Sequence, residues 1–151
     1  MEVIMKRQAL TAITMLGLFL TLAVASVNAQ STRTIQATIP FDFTAGGSNL
    51  QAGEYSVRFT SANALLLRSA DGKTRVIIRA QRAVAGDSAK PERLVFSRYG
   101  DRYFLAQVWM IKAGSGRELD PTSAERRLAK ESQLAKSNSK REAVEIAAGV
   151  R

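Results

Sequence analysis

Residues 64–84 read ALLLRSADGKTRVIIRAQRAV, and this stretch decides the fold. Two runs rich in Leu, Val and Ile flank Asp71-Gly72, a dipeptide whose backbone tolerates the positive φ angles of a tight reversal. Pairing outward from that turn sets Leu67 opposite Val76 and Leu65 opposite Ile78, while Arg68 faces Arg75 and Ala64 faces Arg79. One side of the ribbon is core and the other is largely basic, which predicts an antiparallel β-hairpin.

The flanking sequence repeats the rhythm. Upstream, residues 34–43 alternate strictly, with Ile35, Ala37, Ile39, Phe41 and Phe43 on one side and Thr34, Gln36, Thr38, Pro40 and Asp42 on the other. Pro40 has no amide proton for a central ladder, so this strand is expected at an edge or kinked there. Turn formers fill residues 44–53, a loop anchored by Leu50, and Tyr55, Val57 and Phe59 then alternate with Glu54, Ser56 and Arg58. Ser61-Ala62-Asn63 turns the chain into the decisive hairpin.

Downstream, residues 85–91 form a loop and a second hairpin crosses Gly100-Asp101, with arms at 92–99 and 102–110. A two-residue turn places Leu94, Phe96, Tyr103, Leu105 and Trp109 on one face, and Val95, Phe104, Ala106 and Val108 on the other. A ribbon apolar on both faces needs two covers, and the C-terminal tail is the obvious second one. After the break at residues 114–116, Asp120-Pro121-Thr122-Ser123 opens a helix, since proline suits a first turn and Thr122 with Glu125 has capping-box spacing. The helix is expected to reach about residue 135, with a narrow apolar stripe of Ala124, Leu128 and Leu134 or Ala135 that docks lightly. Residues 137–139 interrupt it, and residues 140–148 read as either one more helical segment or a disordered end. The fold class is all-β, a small antiparallel barrel or sandwich of about six to seven strands, with a C-terminal helix packed on it or trailing from it.

Three segments organise the chain: a signal peptide at 1–29, an antiparallel β domain at 30–119 and a charged helix and tail at 120–151. Lys6 and Arg7 precede an uncharged run from Ala9 to Ala25, which ends in Ala25-Ser26-Val27-Asn28-Ala29 with small residues where a signal peptidase requires them. Cleavage is expected after Ala29, with Ala25 as an alternative; an uncleaved membrane anchor is the other reading of the run. The expected address is the periplasm or the extracellular space, with no stable membrane span after cleavage.

The chain carries 22 basic and 13 acidic residues, a formal charge of +9, and it has neither Cys nor His. No disulfide is available and the core must hold alone. Losing Glu2, Lys6 and Arg7 with the leader leaves +8, of which residues 30–119 contribute +6. The expected partner is therefore anionic: an envelope glycan, a lipid or an acidic protein, rather than nucleic acid.

Read together, Ile39-Pro40-Phe41-Asp42-Phe43, Leu50-Gln51-Ala52-Gly53-Glu54-Tyr55, the run from Arg98 through Tyr99-Gly100-Asp101-Arg102-Tyr103-Phe104 to Leu105, and Gly116-Arg117-Glu118-Leu119 resemble a family of small exported proteins of unknown function, frequent in soil bacteria of the acidobacterial type. The resemblance covers residues 34–130. It implies an exported β domain and carries no chemistry over.

Without His or Cys, catalysis would fall to carboxylates, Lys, Ser or Tyr. Asp42, Glu54, Asp101 and Glu118 lie nearest the apolar stretches, and a glycoside hydrolase needs two acids across a cleft. Each also has an ordinary place: the polar side of a strand, a strand start, a turn, and beside Arg117. The only Ser-x-x-Lys spacing is Ser137 to Lys140 in the tail, and residues 45–48 have neither the spacing nor the Lys of a phosphate loop. Asp71 and Asp87 are too isolated for a calcium loop. No enzyme activity, metal or cofactor is expected.

The most informative feature is the outward side of the first hairpin, where Arg68, Arg75 and Arg79 line up and Arg58 of the preceding strand joins them. Like charges directly opposed on a sheet are unfavourable, and a chain that keeps them offers a forked, permanently charged surface to phosphates, carboxylates or sulfated sugars. The ordinary alternative is a solvated face whose aliphatic stems cover Leu66 and Ile77. Arg98, Tyr99, Arg102, Tyr103 and Trp109 form a second mixed group, of the sort that stacks on sugars or bases. There, normal cross-strand pairing is the simpler account. The candidate site is thus Arg58, Arg68, Arg75 and Arg79 on a non-catalytic binding or structural module; a small carrier enclosing an apolar ligand and a carboxylate-based envelope hydrolase are the alternatives.

Overall fold

Pro40 sets the first event of the fold. Residues 34–43 alternate without a break, yet β1 (Thr34–Ile39) stops one residue before the proline and β2 (Phe43–Ala45) resumes beyond it with different partners. The computed structural model describes residues 33–83, 90–110, 115–134 and 141–150, all within one unit at residues 32–151. The expected leader, most of the loop around Asp87, and the interruption at 137–139 lie outside the described residues.

After β2 comes β3 (Ser48–Leu50), then β4 (Gly53–Ser61), β5 (Ala64–Ser69), β6 (Arg75–Arg82), β7 (Arg93–Tyr99), β8 (Arg102–Met110) and β9 (Ser115–Leu119). A single described helix, α1 (Ser123–Leu134), precedes β10 (Glu142–Ala147) and β11 (Gly149–Val150). The eleven-stranded sheet follows the path β10-β7-β8-β9-β6-β5-β4-β1-β11, with β2 joined to β3 and to β8. β6 serves two neighbours: Arg75 to Arg79 pair with β5, and Ala80 to Arg82 pair with β9. The last segment also serves two: β10 pairs with β7, and β11, one residue later, pairs with β1.

The decisive hairpin has the register its turn dictates. Leu67 pairs with Val76, Leu65 with Ile78, Arg68 with Arg75 and Ala64 with Arg79. Gly72 supplies the positive φ of 72°, while Asp71 Oδ1 accepts from Ser69 Oγ at 2.5 Å and from the Lys73 amide at 3.1 Å. Those bonds, led by the one from Ser69, hold the Asp71 carboxyl below the usual carboxylate range.

The core lies on the inward side of these strands. Ile35, Val57, Leu65, Leu67, Leu94 and Phe96 are wholly buried. Phe96 meets Phe41 and Phe43 edge-on at 5.2 and 5.4 Å, and Phe41 stacks on Tyr103 at 3.9 Å, so interlocked rings occupy the interior. Burial of side chains of this size contributes about 1.5–3 kcal/mol each.

Four expectations are corrected. Among the described residues there are eleven strands rather than six or seven, and β2 lies parallel to β8 at Thr44 and Phe104, so the sheet is mixed rather than purely antiparallel. Residues 44–53 are not simply a loop: Gly46 and Gly47, with φ of 57° and 87°, make a turn that folds β2 back on β3, as two positive angles in succession require. The described part of the 140–148 segment, from Arg141 on, is neither helical nor an unpaired end, because β10 lies along β7 from Glu142 opposite Arg98 to Ala147 opposite Arg93.

The fourth concerns Trp109, expected on the face of Leu94 and Phe96. The β7–β8 pair carries one extra residue, Ala106 of β8, because Val95 pairs with Gln107 and Phe96 with Leu105, and a bulge reverses the parity of everything beyond it. Leu105, Val108 and Met110 therefore join the core cluster, whereas Trp109 turns to the opposite face and donates its indole N–H to Gln107 Oε1 at 3.0 Å.

α1 is held by an acid rather than by its apolar stripe. Leu134 is 84% exposed and Glu125 is the buried residue of the helix. Thr122 Oγ1 accepts from the Glu125 amide at 3.1 Å, and the Glu125 carboxylate is bonded in return by the Thr122 backbone and by the Ser97 side chain. Arg141, at the entrance to β10, donates to Ser97 Oγ at 3.1 Å. The capping box is real, and its acid also pins the helix to β7.

Candidate functional site

Strand alternation builds the basic face. Inward Tyr55, Val57, Leu65, Leu67, Ile78 and Ala80 fix the opposite orientation for the residues between them, and Arg58, Arg68, Arg75 and Arg79 are all exposed. Arg68 and Arg75 are direct cross-strand partners. Arg58 lies on the next strand, paired with Leu66 on one side and with Thr34 on the other.

Three of the four come together. Arg58, Arg68 and Arg75 line a groove of about 240 Å³ with Thr34, Ser56 and Leu66. Leu66, only 8% exposed, supplies its apolar patch, and Ser56 Oγ donates to the Arg68 carbonyl at 3.3 Å. Arg79 stands on the same face outside this groove, opposite Ala64. No carboxylate lines the groove, and none of the four arginines takes part in an ion pair among the described residues.

Other arginines behave differently. Arg93 is 7% exposed, lies 5.1 Å over the Trp109 ring and has Glu145 Oε1 3.6 Å from its Nε. Arg98 lies over Tyr103 and pairs with Glu142 at 3.5 Å, and Arg102 lies over Phe104. The aromatic and basic group of the second hairpin is thus engaged within the chain itself. Tyr99 is buried, and burial first, then the Glu125 charge, pushes its phenol above the usual value.

One basic pair has no counterpart in the sequence reading. Arg82 and Arg117 face each other across β6 and β9, on the parity of inward Ala80 and Leu119. Arg117 lies 4.8 Å over Phe59, and its Nε is buried without a hydrogen-bond partner. The period from Arg117 to Leu119 is the only sequence signal for it.

Two of the four candidate carboxylates share a groove and the other two stand elsewhere. Asp42 and Asp101 share a groove of about 480 Å³ with Asn49, Gln51, Arg102 and Tyr103. Asp42 Oδ1 is already engaged, accepting from the Ala52 amide at 2.8 Å. Glu54 lines a neighbouring groove of about 490 Å³ with Tyr55, Ser69 and Asp71. There, burial and then the charges of Asp71 and Asp42 push the Tyr55 phenol upward, and its hydroxyl donates to the Gln51 carbonyl at 2.8 Å. Glu118 is on β9 between Gln107 and Gln81. Among the described residues no three acids converge as a metal-binding group, and no helix is long and apolar enough to cross a membrane. Comparison of the chain with family profiles, with curated proteins and with solved structures finds no match.

Proposed function

We propose that this chain is an exported, non-catalytic binding module that holds an anionic component of the cell envelope on its arginine face. The observation that carries the reading is the Arg58, Arg68 and Arg75 groove. Three arginines line one groove with no acid among its lining residues, in a protein that elsewhere places Glu145 or Glu142 beside Arg93 and Arg98. Opposed like charges cost up to about 1 kcal/mol on a sheet, and an arriving phosphate, carboxylate or sulfate removes that cost while accepting forked hydrogen bonds.

The basic run and small-residue terminus at 1–29 support export, and the absence of Cys accords with a domain that relies on its core. We read the sheet as a barrel, because β10 and β11 are separated by one residue and pair with opposite ends of the strand path. The interlocked rings of Phe41, Phe43 and Phe96 favour a filled interior over a carrier's cavity of at least about 300 Å³.

Retention on immobilised inorganic polyphosphate at low ionic strength tests the proposal. The protein is expected to bind and to elute as salt screens the contact, and the combined variant Arg68→Ala, Arg75→Ala, Arg79→Ala is expected to pass through. Equal retention of that variant overturns the assignment.

A further inference from the structure

We infer that the arginine face docks on a bilayer containing anionic lipid, with Ile77 entering the headgroup layer among the surrounding guanidinium groups; the inference rests on the anion-binding reading above and names its ligand. The outward positions of β6 run Arg75, Ile77, Arg79, Gln81. Ile77 is 70% exposed, the only large hydrophobic so exposed on a strand interior among the described residues; the other two, Leu134 and Val150, are at element ends. A lone exposed aliphatic is ordinary on a protein surface. This one is bracketed along its own strand by two arginines that have no acid partner among the described residues, pairs across to Leu66, and has Arg68 and Arg58 on the next two strands.

The make-up of that face selects among anions. A sugar polymer is usually gripped by flat aromatic faces together with amides and carboxylates. The outward residues from Glu54 to Gln81 on β4, β5 and β6 include no aromatic ring, and Glu54 is their only acid. A small soluble anion is usually enclosed, whereas the arginine groove of about 240 Å³ falls below the roughly 300–1,000 Å³ of a ligand pocket. A membrane surface needs no enclosure. It accepts guanidinium on its phosphates, lets the aliphatic stems of arginine lie in the interface, and takes an isoleucine into its outer acyl layer. Outward side chains two residues apart on a strand stand about 7 Å apart, so Arg75, Ile77 and Arg79 present cation, apolar group and cation in one plane.

Co-sedimentation with vesicles of phosphatidylcholine alone, or of phosphatidylcholine with phosphatidylglycerol, provides the test, beside the polyphosphate column. The protein is expected to sediment with the anionic vesicles and not with the neutral ones. Ile77→Ser should weaken vesicle binding about tenfold and leave polyphosphate retention unchanged. Arg75→Ala with Arg79→Ala should weaken vesicle binding by about 25-fold and weaken retention on the column as well. Retention on polyphosphate without sedimentation, or an Ile77→Ser protein that sediments like the parent, overturns the lipid inference and leaves the anion-binding proposal standing. Failure on both supports overturns both. Circular dichroism of each variant verifies that these exposed substitutions leave the sheet intact.

Discussion

The two long hairpins turn on similar dipeptides and do opposite things with arginine. β5–β6 is apolar on one side and sets Arg68 against Arg75 in solvent. β7–β8 is buried on both sides and lays Arg93 over Trp109, with Glu145 3.6 Å away. An arginine that covers a ring and has an acid nearby contributes to the fold of its own chain. One that faces another arginine across a groove adds electrostatic strain to the fold, and its use is sought in a partner. The residue type is the same, and the neighbours that tertiary pairing supplies decide the role.

The strongest way to break the comparison is to disturb the buried outer face of β7–β8. Trp109 lies so close over Gly116 of β9 that a Cβ there would stand 2.4 Å from the ring. Gly116→Ala should therefore cost about 3 kcal/mol, near the upper end for overpacking, while Gly149→Ala, with open space around it, should stay within about 0.5 kcal/mol. Urea unfolding of the two variants measures the difference. Equal stabilities would mean that the indole does not occupy this position.

A smaller effect compares the arginines directly. Arg93→Ala should cost about 2 kcal/mol, most of it lost packing on Trp109, because Glu145 is 47% exposed and the ion pair is correspondingly screened. Arg75→Ala should be neutral or gain up to about 1 kcal/mol, since it relieves the repulsion by Arg68. Matching losses from the two substitutions would erase the distinction between structural and available arginine.

The finest test concerns pH. Burial, opposed by the Arg141 charge and by the bonds from Ser97 and Thr122, raises the Glu125 carboxyl above its ordinary value of 4.5. The native state then holds that proton more tightly than the unfolded chain, so this group's contribution is greatest below the ordinary value and declines as pH rises through the interval up to the raised one. Glu125→Gln should remove that slope: the variant gains on the parent as pH increases through the interval and then runs parallel to it. Parallel stability curves throughout would show that α1 is not held by a buried acid.

The register of β5–β6 was readable in advance because a short turn and a one-sided apolar pattern admit a single pairing; a slip by one residue would put Leu65 and Leu67 in water. Arg58, Arg68, Arg75 and Arg79 on the exposed face followed from the same parity. β10 was harder to read. Val144, Ile146 and Ala148 alternate and pack on the core, but Glu, Ala, Lys and Arg around them favour helix locally, and only docking along β7 makes the extended form the better one. The orientation of Trp109 is hidden for another reason: both faces of β8 are apolar, so its sequence carries no mark of the bulge.

By itself the sequence determined which strands have one wet side, where the two long hairpins reverse, and that the excess charge is positive, because these depend on residues close along the chain. Only the tertiary structure decided that Trp109 faces outward, that Glu125 is buried, and that Arg82 meets Arg117. Each of those depends on which distant strand lies alongside, and that choice is made by the fit of the whole core rather than by any local preference.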